Sequence, residues 1–373
     1  MQCCSKNYNI EVKKKKIVHF IFNLGRGGAE TMTVRVIKEL NEYHHTVVTL
    51  FPLDHFKEEL QCDKLVCLNI SSLFQLPLAM LRFKKLVKEE APAIVHTHLF
   101  WPTFVARFTV PKKTPLITTI HAFIVDSVEY KRWYIAMLDK LSYRFRKNII
   151  IAVAKGALDQ YLAFHKRNPQ KAYVLYTFVD LARFDINNFV LPGRSSSVFK
   201  LISVGALREQ KNHLYLVNAM ALIKDENMEL DIYGVGDKQE ELQQKIKETG
   251  ARITLKGEVS NIQEIIPQYD LYVMSSTYEG FSLSVLEAMA MGMPLLLSDM
   301  ASFKEQCEET AEYFSLADEK DFVKKLSAIR ELSKEELQAG GERGRQRAVN
   351  NFTLPQHIAG LRKIYTDAIQ DTH

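Results

Sequence analysis

Two carboxylates eight residues apart, Glu279 and Glu287, bracket the run Glu279-Gly280-Phe281-Ser282-Leu283-Ser284-Val285-Leu286-Glu287, which directly follows the apolar strand candidate Leu271–Met274. Glu279 falls in a turn, and Glu287 lies about two turns into a helix that opens near Ser282. At about 1.5 Å of rise per residue, the second acid is about 8–10 Å from the helix mouth. Backbone N–H groups at such a mouth are unpaired and point outward, which makes an anion site. Acid, anion site, acid suits a molecule with a diphosphate centre and hydroxyl-bearing groups at both ends, as in a nucleotide-sugar. A helix with an N-terminal acid and one salt-bridged surface glutamate fits the same periodicity, so spacing alone leaves both open.

The elements that must position these acids are short apolar strands alternating with helices. The first half gives strand candidates Ile17–Phe22, Thr46–Phe51, Leu65–Leu68, Ile94–Thr97, Leu116–Thr119, Ile149–Val153 and Ala172–Leu175. Helices are expected near 28–43, 75–90, 101–109, 130–146 and 155–166. Asp185–Ser197, rich in Asn, Ser, Pro and Gly, reads as a linker. The pattern then restarts with Phe199–Val204, Leu230–Tyr233, Ile253–Lys256, Leu271–Met274 and Pro294–Leu297, with helices near 212–224, 237–249, 261–267, 283–291 and 303–309. Residues 318–370 read as mostly helical, with a break at Asn350–Pro355. Continuous apolar strands separated by helices imply parallel sheets covered on both faces, hence two successive α/β units.

Ligands of open α/β sheets sit beyond the carboxyl ends of the strands, so the residues after each strand carry the chemistry. After the first comes Asn23-Leu24-Gly25-Arg26-Gly27-Gly28-Ala29-Glu30, whose glycines let backbone approach a phosphate or sugar as a helix begins. The spacing is not the dinucleotide fingerprint, and a plain tight turn fits equally. His98 and His121 follow the fourth and fifth strands, while His96 lies within its strand. None has the spacing with acids that suggests a metal site. Gly205-Ala206-Leu207-Arg208-Glu209-Gln210-Lys211-Asn212 puts two cations near another helix start, where they can neutralise a pyrophosphate. Gly234-Val235-Gly236 offers a flat surface suited to a ribose or base.

The chain has 373 residues, 47% apolar and 25% charged, with a net charge of +5, as expected of two globular domains. No uninterrupted apolar run reaches the roughly 18 residues of a spanning helix. Lys13–Lys16 precede an apolar stretch that Asn23 and Arg26 cut short, so a strand accounts for it better than a signal peptide. The cysteines, Cys3, Cys4, Cys62, Cys67 and Cys307, are odd in number and lack a metal-ligand rhythm, which suggests a reducing compartment and no structural zinc. Residues 1–190 are basic on balance and 191–373 acidic. Lys131–Lys147 interleaves cations with Trp133, Tyr134, Met137, Leu138, Leu141, Tyr143 and Phe145. It reads either as an amphipathic helix touching an anionic bilayer or as a basic-faced helix packed on a sheet. No nucleic-acid module accompanies the charge, so no nucleic-acid partner is expected.

In this order the pieces resemble the retaining GT-B glycosyltransferases of family 4, over nearly the whole chain from about Ile17 to Asp367. The acid pair, continued by Ala288-Met289-Ala290-Met291-Gly292-Met293-Pro294, carries most of the likeness, supported by Gly27–Glu30, His121 and Lys211-Asn212. The resemblance implies two Rossmann-like α/β/α domains facing across a cleft: 1–190 for the acceptor and 198–354 for the nucleotide-sugar, with a helix at about 355–370 packing back on the first. It implies Glu279 at the donor-sugar hydroxyls, Glu287 at the ribose hydroxyls, and His121 at the transferred sugar. The distal phosphate falls to amides of Phe281, Ser282 and Leu283 with Gly28, and the diphosphate to Lys211. Gly27, Gly234 and Gly280 complete the expected nucleotide-sugar contacts. Ala206 stands where the family usually has Arg, and Arg208 would supply the missing charge.

The implied activity is transfer of a sugar, with retention, from a UDP-sugar (or a GDP-sugar) to a glycan or lipid-linked saccharide. The setting would be synthesis of a surface polysaccharide such as lipopolysaccharide or capsule. No Asp-x-Asp cluster occurs, so neither a cofactor nor a divalent metal is expected. The acceptor should be read by Phe100–Thr103 and Ala122–Tyr130, and the protein should be cytoplasmic, peripheral on the cytoplasmic face of the inner or plasma membrane. Alternatives are another GT-B nucleotide-sugar enzyme, an epimerase or phosphorylase, and a non-catalytic α/β protein binding a membrane or protein partner.

Overall fold

The structure is a computed structural model that describes residues 14–25, 27–122, 130, 132–189, 198–223 and 227–371. Most of the Ala122–Tyr130 acceptor segment, the second half of the expected linker, and Arg26 lie outside the described residues.

The first half forms β1 (Lys16–Ile21), β2 (His44–Thr49), β3 (Lys64–Cys67), β4 (Ile94–His98), β5 (Leu116–Ile120), β6 (Ile149–Ala152) and β7 (Lys171–Val174). Between them run α1 (Gly28–Glu39), α2 (Leu76–Glu90), α3 (Phe100–Thr109), α4 (Trp133–Phe145) and α5 (Lys155–His165). The strands form one sheet in the order β3-β2-β1-β4-β5-β6-β7. Pairings among β1 to β5 are parallel, with His19 of β1 opposite His96 of β4.

The second half forms β8 (Phe199–Val204), β9 (Met228–Tyr233), β10 (Ile253–Gly257), β11 (Leu271–Met274), β12 (Leu295–Ser298) and β13 (Glu312–Phe314). Its helices are α6 (His213–Ala221), α7 (Gln239–Thr249), α8 (Ile262–Ile265), α9 (Leu283–Ala290), α10 (Ala301–Cys307), α11 (Glu319–Arg330), α12 (Lys334–Asn351) and α13 (Leu354–Gln370). The six strands pair in parallel in the order β10-β9-β8-β11-β12-β13. Both sheets carry the doubly wound order of Rossmann-like folds, in which the order reverses beside the first strand.

Alternation explains why these strands are apolar throughout. Side chains of successive strand residues point to opposite faces, and here both faces are covered. Ile202, Tyr272, Met274, Leu295 and Leu297 pack on one side with Val285 and Met289 of α9, Phe303 of α10, and Ala348 of α12. Leu201, Leu271, Val273 and Leu296 pack on the other with Leu216 and Met220 of α6, Leu242 of α7, and Phe322 and Leu326 of α11. The three-residue edge strand β13, Glu-Tyr-Phe, follows Glu308-Glu309-Thr310-Ala311 and escapes periodicity for want of length.

By packing, the described residues up to 119 with 141–149 and 362–371 form one compact unit, and the described residues within 120–140 and 150–361 form another. Among the described residues no helix is long and apolar enough to cross a membrane.

Glycine inside a helix costs about 1 kcal/mol relative to alanine, so Gly340, Gly341 and Gly344 within α12 need a packing reason. For Gly341 it is plain: a β-carbon there would lie 1.9 Å from the carbonyl oxygen of Gly292, in the turn after α9. At Gly340 the nearest atom is the Arg343 guanidinium, 3.9 Å away. Gly341→Ala is therefore expected to destabilise by about 2 kcal/mol or more. Gly340→Ala is expected to be neutral or to stabilise by about 0.5–1 kcal/mol. Urea unfolding of the two variants checks the contrast.

Candidate active site

The site is built at the carboxyl ends of β8 and β11, whose loops are laced together. Ser275 donates to the carbonyls of Lys211 and Asn212 at 3.1 and 2.9 Å. The Thr277 amide donates to the Gln210 carbonyl at 2.9 Å, and the Gln210 side-chain amide returns a bond of 2.9 Å to the Tyr278 carbonyl. These bonds bring the Lys211 ammonium to 2.6 Å from Glu279 Oε1. Ser276 donates to the same oxygen at 2.9 Å. With both donors on Oε1, Oε2 takes no bond from the described residues. The pair is largely buried, Lys211 keeping 16% and Glu279 10% of side-chain exposure.

Gly280 is required by a close approach. A β-carbon there would stand 1.9 Å from the carbonyl oxygen of His121, the residue after β5, so only glycine lets the two chain segments meet. Burial and the neighbouring His357 push the His121 imidazole down to about 4. It is therefore neutral near pH 7, able to hydrogen-bond a hydroxyl but not to supply a proton.

Ser282 is the N-cap of α9 in extended conformation. Its amide donates to Gln306 Oε1 at 3.0 Å, and Gln306 Nε2 donates back to the Ser282 carbonyl at 2.9 Å. Gln306 is wholly buried. The Ser282 amide is thus engaged inside the protein, and the next amides of this helix start, those of Leu283 and Ser284, have no partner within the helix. Phe281, also buried, packs against Tyr176 with rings tilted and against Phe352 edge-on, at centroid distances of 5.5 and 4.9 Å.

Glu287 projects from the second turn of α9. Burial raises its carboxyl to about 7, opposed by the charges of Arg183 and Lys211. Lys211 therefore acts on both acids. Arg183, which sequence reasoning missed, donates to Gln263 Oε1 at 3.1 Å and to the Ser260 carbonyl at 2.7 Å, which anchors it to α8 and to the loop between β10 and α8. No local pattern marks it, because its neighbours lie some eighty residues away in the chain. Gln306 escaped for the same reason.

Other expected residues are placed differently. Gly234 has φ +146° and a β-carbon there would sit 2.0 Å from the Gly205 carbonyl, so packing between the β8 and β9 loops already requires glycine. Arg208 lines a cavity of about 80 Å3 with Glu209, Asn212, His213, Lys238 and Glu241, beside the starts of α6 and α7. Gly27 and Gly28 open α1 in the other unit, Gly27 as its extended N-cap, with the Glu30 carboxylate lying over the turn.

Comparison with known proteins assigns the class. Residues 26–183 match the family described as Glycosyltransferase Family 4, and residues 198–332 match Glycosyl transferases group 1. The chain belongs to glycosyltransferase family 4 and is an enzyme of the GT-B fold. It is 27% identical over 303 residues to the N-acetylgalactosamine-N,N'-diacetylbacillosaminyl-diphospho-undecaprenol 4-alpha-N-acetylgalactosaminyltransferase of Campylobacter jejuni, covering 77% of this chain and 82% of that protein. It is 25% identical to the UDP-Gal:alpha-D-GlcNAc-diphosphoundecaprenol alpha-1,3-galactosyltransferase of Escherichia coli, covering 82% of each. The fold is similar to Anabaena HepE, solved with UDP-glucose, at a TM-score of 0.80 and 15% identity over 94% of this chain and 99% of that one.

The Glu287 carboxyl sits near 4.5 in an unfolded chain and about 7 here, so the folded protein holds this proton more tightly. Its contribution to stability is complete below 4.5 and is lost as pH rises through 7. Glu287→Gln, which cannot ionise, is expected to gain stability over the wild type between pH 5 and pH 8, by at most about 3 kcal/mol. Urea unfolding at both pH values checks it.

Proposed function

We propose that the protein is a retaining glycosyltransferase that moves a hexose-type sugar from a UDP-sugar to a glycan or lipid-linked saccharide during synthesis of a surface polysaccharide. The observation that carries this reading is the buried Lys211–Glu279 pair set beside Glu287 and the open start of α9. That arrangement offers a cation and free amides to a diphosphate, and carboxylates to hydroxyls on either side. The two relatives named above act on diphospho-undecaprenol-linked saccharides, as their names state, which supports the acceptor class.

In this reading Glu279 Oε2 accepts from donor-sugar hydroxyls, Glu287 from the ribose hydroxyls, and neutral His121 hydrogen-bonds the transferred sugar. Lys211 and the amides of Phe281, Leu283 and Ser284 stabilise the negative charge that grows on the departing diphosphate. The acceptor oxygen attacks the anomeric carbon on the face the phosphate leaves, and the phosphate oxygen takes the proton of the incoming hydroxyl. Residues 198–354 supply the donor side, and residues 1–190 the acceptor side.

Membrane contact through α4 completes the proposal. Trp133, Met137, Leu141 and Phe145, spaced by four, are exposed by 74%, 43%, 43% and 67%. Spacing by four on a helix makes one stripe. Phe108 of α3 extends it, its ring 5.2 Å from that of Phe145. Lys112, Lys113, Lys140, Arg144 and Lys147 are exposed around it. An exposed Trp/Phe stripe flanked by cations fits the interface of an anionic bilayer.

Calorimetric titration with UDP, GDP and ADP, with and without chelator, tests the donor site. UDP is expected to bind without added metal, Lys211→Met to weaken it about tenfold or more, and Glu287→Ala to weaken it as well. Binding of GDP alone would move the donor class, and binding of none would overturn the reading. Sedimentation with vesicles rich in anionic lipid tests the surface: Trp133→Glu with Phe145→Glu should abolish binding at low salt. Indifference of the wild type to such vesicles would overturn the membrane contact.

A further inference from the structure

Four histidines are packed into the first sheet beneath its helices: His19 on β1, His45 on β2, and His96 and His98 on β4, each at most 5% exposed. Ring centroids of His19 lie 5.2, 5.8 and 6.2 Å from those of His45, His96 and His98, and His96 and His98 are 4.4 Å apart. Nothing in the donor site uses them, and the strands that bring them together are far apart in sequence.

Their hydrogen bonds fix one tautomer. His45 Nε2 lies 2.7 Å from the carbonyl oxygen of Leu40, which can only accept, so His45 carries its proton there. His45 Nδ1 is then an acceptor, and its partner at 3.0 Å, His19 Nε2, must be the donor. A neutral imidazole has one N–H, so His19 Nδ1 is left with a bare lone pair. That atom is buried and has no hydrogen-bond partner among the described residues. A buried acceptor without a partner is costly, and one oriented by a relay that ends on a backbone carbonyl is arranged as metal-ligating histidines are.

His96 and His98 complete the set. One ring nitrogen from each of His19, His96 and His98 lies within 4.8 Å of the others. Three imidazoles around a tetrahedral ion at about 2.0–2.1 Å have nitrogens about 3.4 Å apart, so ring rotation of around an ångström closes the set without moving a strand. His96 contacts Tyr365 Oη through Nδ1 and Thr119 Oγ1 through Nε2, both at 2.7 Å. Whichever nitrogen turns to an ion, the other keeps a hydroxyl partner.

We propose that His19, His96 and His98 form a binding site for one borderline divalent transition ion of the zinc class, held by three neutral imidazoles. The ion would tie β1 to β4 beneath Tyr365 of α13 and act on the stability of the first sheet. This role is separate from sugar transfer and makes no demand on the donor site.

The test uses the full chain, stripped with chelator and titrated with zinc by calorimetry and with cobalt by visible absorption. One ion per chain, tetrahedral cobalt bands without thiolate charge transfer, and a raised Tm with zinc are expected. His98→Gln and His19→Asn should each weaken binding at least about tenfold, with UDP affinity and far-ultraviolet circular dichroism retained in His98→Gln. Absence of a stoichiometric ion at about 100 µM zinc would overturn the proposal. So would binding unchanged in His98→Gln, or thiolate bands placing the ion on a cysteine.

Discussion

An ammonium bonded to one buried carboxylate and acting by its charge on a second is the constraint on which the candidate site depends. Lys211 touches Glu279 directly and also opposes the upward shift of the Glu287 carboxyl. Taking such charges out of water costs several kcal/mol per ion, and their attraction offsets that only where geometry is fixed. The fixing is visible in the bonds that join the loops after β8 and β11, which hold Lys211 in place through backbone carbonyls on either side of it. A fold seeking only stability gains little from this arrangement, whereas a site for a hydroxylated diphosphate gains a cation, two acceptors and a helix start within one loop pair.

Glycine and glutamine act as supports in the same place. Gly280 lets the His121 carbonyl approach within a distance no side chain tolerates, and Gln306 pairs with both backbone groups of Ser282 as a neighbouring strand would. The turn between β11 and α9 is therefore held from two sides. A chain reversal so held keeps its free amides aimed without reorganisation, which is the condition for electrostatic stabilisation of a growing charge.

Much of this was legible in the sequence because it is local. Strands buried on both faces read as unbroken apolar runs, so β8 and β11 carry the expected limits to the residue, and Glu279, Glu287 and Lys211 sit at strand ends or helix starts that periodicity finds. What escaped is set by contacts distant in sequence. Arg183 reaches the loop after β10, Gln306 reaches Ser282, and His19 meets His45 and His96 only through strand order. The Ser282 amide, expected at a phosphate, is engaged by a side chain that no spacing rule points to.

The most direct measurement compares the affinities of UDP and of a UDP-hexose for the Glu279→Gln variant. With Glu279 at the sugar hydroxyls, the variant should bind UDP within about twofold of the wild type and lose about tenfold or more for the UDP-hexose, since a charged hydrogen bond is worth about 1.5–3 kcal/mol. Equal losses for both ligands, or none for the UDP-hexose, would contradict a sugar-facing carboxylate and with it the account of the site.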